Sequence, residues 1–348
     1  MINIGKKCLA ALLAASMVFG VTGCGKQKKA KKPYVQSTAE VKNGTAKAEG
    51  KGKQQSEVPL IIGCGRLDKN FNPFLAQAAS DEQVMNLTQT KLFDTDRAGR
   101  LVEKGIDGEL REYNDENYTY YGIADIKKAR RTKANYTVYR ITIRDDLLFS
   151  DGQPITIDDV IFSLYAFCDN DYDGNVQLKS SNIRGLLNYQ ANNAQAESYT
   201  DKQVKKYIRK KSAALQKWMQ KHSSDESGYE SALERQARYL MAKQAKKKTR
   251  VNSIEGIKRL NDYELRIYTT GYDSRFEEKL QIPICPLHYY GDTTKYSYNA
   301  NKFGFKRGDL SAIRANKSSP VGAGAYRFVK YDSGIAYFMA NELYLSLI

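Results

Sequence analysis

Residues 136–167 constrain the fold of this chain more than any other stretch. Tyr139, Ile141 and Ile143 alternate with Arg140, Thr142 and Arg144, the period-two pattern of a half-buried strand. Asp151-Gly152 supplies a turn. Thr156 then stands three residues before Asp159, the spacing of a capping box, and Asp158 and Asp159 suit the positive end of a helix. Val160, Ile161, Leu164 and Phe167 give that helix one apolar face. Strand periodicity returns at 263–269, 325–330 and 335–340, a helix is expected over 81–93, and the apolar run Leu60-Ile-Ile-Gly-Cys-Gly65 reads as a first buried strand. Strands interleaved with helices predict an α/β fold, a mixed sheet with flanking helices.

The charge is placed unevenly. The chain has 348 residues and a formal charge of +16. Residues 1–23 contribute +2, residues 24–58 contribute +6 and residues 201–250 contribute +10, so the remainder is close to neutral. A nucleic-acid binder spreads its basic residues over a recognition surface, and none is expected here. The stretch 195–250 lacks Pro, contains only Gly228, and reads as two or three amphipathic surface helices with Trp218 as a packing anchor. Its charge reads as a solvated face, with attraction to an anionic envelope surface as the alternative.

The N-terminus looks like an address. Lys6 and Lys7 precede an apolar run over 9–21 that is too short to span a bilayer comfortably, and Val21-Thr-Gly-Cys24 follows it. That order resembles a bacterial lipobox, in which the chain is cut before the cysteine and the thiol, here Cys24, carries the lipid. An ordinary secretory cleavage nearby is the alternative. Residues 24–58, rich in Lys, Gly, Ala, Ser and Gln, read as a flexible basic tether with a reach of roughly 30 Å. The expected organisation is a signal peptide at 1–23, the tether at 24–58 and a binding domain at 59–348, held at the extracellular face of the cytoplasmic membrane or in the periplasm.

Three segments together resemble the oligopeptide and dipeptide solute-binding proteins of bacterial ABC importers, family 5 or class C. They are the strand, Asp-Gly turn and helix over 136–164, the Ile282-Pro-Ile-Cys-Pro-Leu-His288 segment, and Pro320-Val-Gly-Ala-Gly-Ala-Tyr-Arg-Phe-Val-Lys330. Ala323 and Ala325 depart from the family's Gly-Thr-Gly-Pro-Tyr pattern in the last. The resemblance spans about 58–345 and implies a periplasmic-binding-protein-like lobe. Family members continue into a second large lobe, so the end at Leu345-Ser-Leu-Ile348 reads as a truncated or frameshifted copy with that lobe mostly missing.

The implied function is peptide binding in a cleft, mainly through main-chain groups, and delivery to the permease and ATPase subunits of an importer by a membrane-anchored monomer. The alternative is a truncated surface lipoprotein without a working cleft. The resemblance places the loop after the first strand at the cleft mouth, with Gly65, Arg66, Leu67, Phe71 and Asn72 as candidate ligand contacts. Arg66 would pair with a peptide carboxylate; alternatively, Arg66 and Asn72 only stabilise the loop.

No enzyme is expected, because the chain has no phosphate loop, nucleophile elbow, HExxH or kinase motif set. No cofactor or metal is expected either. Asp169-Asn-Asp-Tyr-Asp-Gly174 opens like an EF-hand loop, but its twelfth position is Ser180 rather than a bidentate Glu, so an acidic turn is the stronger reading. Cys285 and His288 are spaced like half a metal site with no second half, and Cys64, Cys168 and Cys285 read as buried thiols.

Overall fold

The helix foreseen after Thr156 is the hub of the folded body. A computed structural model describes residues 61–222 and 229–344. The chain divides at Gln55/Ser56 into two units. The expected signal peptide, Cys24, the whole 24–58 tether, Leu60 and the last four residues lie outside the described residues.

In chain order the regular elements are α1 (Ala79–Thr88), β1 (Glu109–Tyr113), β2 (Glu116–Tyr120), β3 (Ala124–Arg131), β4 (Tyr136–Ile143), α2 (Ile157–Phe167), α3 (Leu186–Ala191), α4 (Asp201–Lys210), α5 (Ser212–His222) and α6 (Tyr229–Gln244). Then follow β5 (Ile257–Asn261), β6 (Glu264–Thr270), α7 (Leu287–Tyr290), β7 (Tyr296–Ser297), β8 (Lys302–Phe303), α8 (Ser311–Ala315), β9 (Tyr326–Asp332) and β10 (Ile335–Ala340).

The α/β class holds, with a sheet of order β3-β4-β6-β5 and three two-stranded ribbons, β1-β2, β7-β8 and β9-β10. Every pairing between these strands is antiparallel. Register places Ile126, Ile141 and Leu265 side by side on one face of the sheet, with Tyr139 and Ile267 paired next to them. That face joins Val160, Ile161, Phe162, Leu164 and Tyr165 of α2 in one continuous core. Ten of the eleven α2 residues are buried, so it is an interior helix rather than an amphipathic surface one.

Thr156 caps α2 in both directions: its side chain accepts from the first-turn backbone, and the Asp159 carboxylate accepts from the Thr156 N–H at 2.9 Å. Satisfying these orphan donors with side chains lets the helix begin inside the protein.

Two sequence expectations fail locally. Ile61 and Ile62 are 86% and 61% exposed, and residues 61–65 form no strand, so the expected first buried strand is absent there. Apolar β-branched residues make a strand only where a partner edge is available. The helix expected over 81–93 ends at Thr88. Beyond it Leu92 donates its N–H to Ile282 at 2.8 Å and Lys91 bridges Pro283, so tertiary pairing outcompetes helix continuation.

The stretch 195–250 contains three helices, α4, α5 and α6, as expected. They share a small core of Val204, Leu215 and Ala237, and half-buried Trp218 follows that core along α5. Half-buried Arg235 ties the module down, donating to the Gln190 side chain at 2.8 Å and to the Lys179 carbonyl at 2.9 Å. No described helix is long and apolar enough to cross a membrane.

Candidate functional site

The loop singled out in the sequence separates into an exposed lip and a buried root. Gly65 and Arg66 are exposed, and the Arg66 guanidinium has no partner among the described residues. Leu67, Phe71 and Asn72 are buried. Leu67 and Phe71 pack with Val84 of α1 against Phe328, Tyr331 and Phe338 of the β9-β10 ribbon, with the Phe71 and Phe328 rings 5.6 Å apart. The Asn72 amide donates to the carbonyls of Ile313 (2.7 Å) and Asn316 (2.9 Å), while its oxygen accepts from Phe74 N–H at 2.9 Å. It thereby caps the C-terminal end of α8, whose last carbonyls have no partner within the helix.

The first turn of α1 holds the rest of the loop. Asp81, itself buried, accepts from the N–H groups of Asp68 (3.0 Å) and Asn70 (3.1 Å), and Ser80 donates to the Arg66 carbonyl at 2.6 Å. The lip is therefore an ordered platform. An open groove of about 530 Å³ lies elsewhere, lined in part by Ile106, Tyr121, Arg144, Asp145 and Tyr263, and none of the five candidate residues lines it.

The three signature segments form one frame. The Cys285 N–H donates to Ser163 Oγ (2.9 Å) and the Leu287 N–H to the Asp159 carboxylate (3.0 Å), which fixes 282–288 against α2. His288 Nε2 lies 2.7 Å from the Asp151 carboxylate in the Asp-Gly turn. Burial works against ionised Asp151, but the His288 and Gln153 hydrogen bonds outweigh it and hold its carboxyl below the usual value. Ser150 N–H donates to the Gly322 carbonyl at 2.8 Å, joining the turn to the third segment.

That third segment needs its glycines. A Cβ at Gly322 would lie 2.3 Å from the Thr88 carbonyl oxygen, and one at Gly324 would lie 2.4 Å from that of Leu87. Neither position has room for a side chain.

Chemistry elsewhere resolves into structure. Asp169 accepts from the Gly308 N–H at 2.9 Å and Asp171 from the Leu310 N–H at 2.8 Å, while Arg314 pairs with Asp173 at 3.0 Å. The acidic loop thus cradles the 308–314 segment. Cys168 and Cys285 are buried, and burial pushes both thiols up. Cys64 is exposed, contrary to expectation, because the strand that would have covered it does not form. Among the described residues no group of three acidic, His or Cys side chains is arranged to hold a metal.

A family model described as bacterial extracellular solute-binding proteins, family 5 Middle, matches residues 124–345. The chain belongs to this family. The match contains all three signature segments and begins after the Gly65–Asn72 loop. Its members are extracellular solute-binding proteins. No curated protein matches the chain.

Similar solved structures include the Bacillus subtilis oligopeptide-binding protein AppA in complex with a nonapeptide. It is 16% identical with TM-score 0.42, over 79% of this chain and 34% of that one. Lactococcal OppA complexed with an endogenous peptide is 14% identical with TM-score 0.44, over 81% and 38%. NikZ from Campylobacter jejuni in complex with Ni(L-His) is 19% identical with TM-score 0.36, over 80% and 34%. The chain thus spans just over a third of the length of these solved proteins.

Sequence reading missed three features. The β1-β2 ribbon was legible in its Asn114-Asp115 turn, both residues at positive φ. The Asp151–His288 link had no local signal, since its partners lie 137 residues apart. The groove residues come from four separate segments and share no motif.

Proposed function

We propose that this protein is the receptor of a peptide importer, anchored through a lipid on Cys24 and presenting its binding domain outside the cytoplasmic membrane on the 24–58 tether. The observation that carries solute binding is the family match over 124–345, with its three signature segments bonded into one frame around α2. The permease and ATPase subunits of an ABC importer are the partners this reading requires, and the receptor works as a monomer.

In this reading Gly65 and Arg66 form the ligand-facing lip, with Arg66 meeting a peptide carboxylate, while Leu67, Phe71 and Asn72 hold the lip in place. Exposed and free of a partner among the described residues, the Arg66 guanidinium is available for that contact. An extended peptide recognised through its main chain is bound with broad side-chain tolerance.

Calorimetric titration with a nonapeptide tests the ligand class. Hydrogen bonds made to one wall leave the ligand in water and contribute about 1 kcal/mol or less each. Residues 25–348 alone are therefore expected to bind weakly. The same residues joined to the remaining section of a full-length relative should bind saturably, and Arg66→Ala should weaken that binding. No peptide binding by the joined protein would end the peptide reading. Labelling with a fatty-acid analogue tests the anchor separately, and label that persists in Cys24→Ala would remove it.

A further inference from the structure

Helix α4 carries Lys202, Lys205, Lys206, Arg209 and Lys210, all exposed. At 3.6 residues per turn these five fall within about 140° of arc and along about 12 Å of helix. The opposite side of the helix is apolar: Val204 is fully buried in the module's core, with Tyr207 and Ile208 packed beside it. None of the five cations makes an ion pair with a described carboxylate. The one acidic residue of the helix, Asp201, is held by Arg238 at 2.6 Å.

Like charges at spacings of three and four residues oppose helix formation. The stripe contains several such pairs, among them Lys202–Lys206 and Lys205–Arg209. A capping box at Thr200 and Gln203 and the apolar contacts to α6 hold the helix despite this repulsion. The stripe thus meets no described carboxylate and is presented outward.

The geometry points to α4 as a docking surface for an anionic phospholipid bilayer, its cations resting among the lipid phosphates. Charge complementarity supports this occupant, since basic residues near an anionic membrane surface each add attraction over about a Debye length. The inference rests on the proposed lipid anchor for its proximity, because a tether reaching roughly 30 Å keeps the domain close to the bilayer. A second cation row crosses the main sheet, where Lys127, Arg140, Arg266 and Lys258 occupy consecutive register positions on four strands. It differs from α4 in that Arg140 is neutralised by Glu264 at 2.7 Å.

Vesicle co-sedimentation of residues 25–348, which keep every described residue and lack the lipid, tests the proposal. Vesicles of phosphatidylcholine with and without phosphatidylglycerol are compared at low and high salt. The protein is expected to bind only the phosphatidylglycerol vesicles, and to be released by salt. Lys202→Glu, Lys205→Glu, Arg209→Glu should weaken binding at least about tenfold. The neutral Lys202→Gln, Lys205→Gln, Arg209→Gln, which preserves helix propensity, should give an intermediate loss. The charge-matched sheet variant Lys127→Glu, Lys258→Glu, Arg266→Glu should bind like the wild type. Undiminished binding by both α4 variants, loss confined to the sheet variant, or tighter capture by soluble polyphosphate than by vesicles at equal phosphate would overturn it. Because this assay uses no lipidated protein, failure of the anchor itself is read separately by the Cys24 labelling.

Discussion

Asn72→Ala should cost this protein about 3 kcal/mol of stability while Arg66→Ala, six residues earlier in the same loop, costs less than about 0.5 kcal/mol. The Asn72 side chain is completely buried and makes three hydrogen bonds, two to carbonyls more than 240 residues away and one from Phe74 N–H. Truncation leaves two carbonyls and one N–H without that partner in a closed site. Each such group costs roughly 1–3 kcal/mol, reduced where a water enters the space vacated by the amide. The Ile313 and Asn316 carbonyls also lose the group that caps the end of α8.

Asn72→Asp should be at least as costly, because it removes both donors and turns a carboxylate toward two carbonyl oxygens. Urea denaturation monitored by circular dichroism reads the difference, and at about 2–4 °C per kcal/mol the melting point of Asn72→Ala should fall by roughly 6–12 °C. Arg66→Ala should melt within about 2 °C of the wild type. Equal stability of Asn72→Ala and wild type would show that the loop root bears no structural load.

Gly322→Ala should destabilise by roughly 1–3 kcal/mol, since its Cβ would lie 2.3 Å from a backbone carbonyl, whereas Gly63→Ala, with nothing within 4 Å, should be silent in the same melts. Asp151 has a lowered pKa in the folded state, so its contribution to stability is present above its ordinary value of 3.8 and is lost as the pH falls through the folded value. The stability gap between wild type and Asp151→Asn should therefore close as the pH is lowered from about 5 toward 3, and a gap that stays constant would refute the assignment. Lys127→Glu places a carboxylate opposite Arg140, which Glu264 already pairs at 2.7 Å, so denaturant titration should read a change of less than about 0.5 kcal/mol; a larger gain would show that Glu264 leaves Arg140 unneutralised.

Short-range physics made part of this protein legible in its sequence. The alternation of Tyr139, Ile141 and Ile143, the Thr156–Asp159 capping box and the helical character of 195–250 each depend on residues a few positions apart, and each is found in the structure. The spacing of the α4 cations is of the same kind, since the helix period alone assigns them to one side.

Long-range pairing decided the rest. For Asn72 the sequence left open a ligand contact, implied by the resemblance, or a role in stabilising the loop, and only the fold brings the carbonyls from the far end of the chain that its amide meets. Ile61 and Ile62 have strand-forming side chains but remain exposed, because a strand also requires a neighbouring edge. Asp169 and Asp171 read as part of an acidic turn, but nothing near them in sequence names the 308–310 backbone that supplies their donors. In each case the residue type stated what chemistry was available, and only the tertiary structure decided which partner satisfied it, because desolvated polar groups bond to whatever the fold brings within reach.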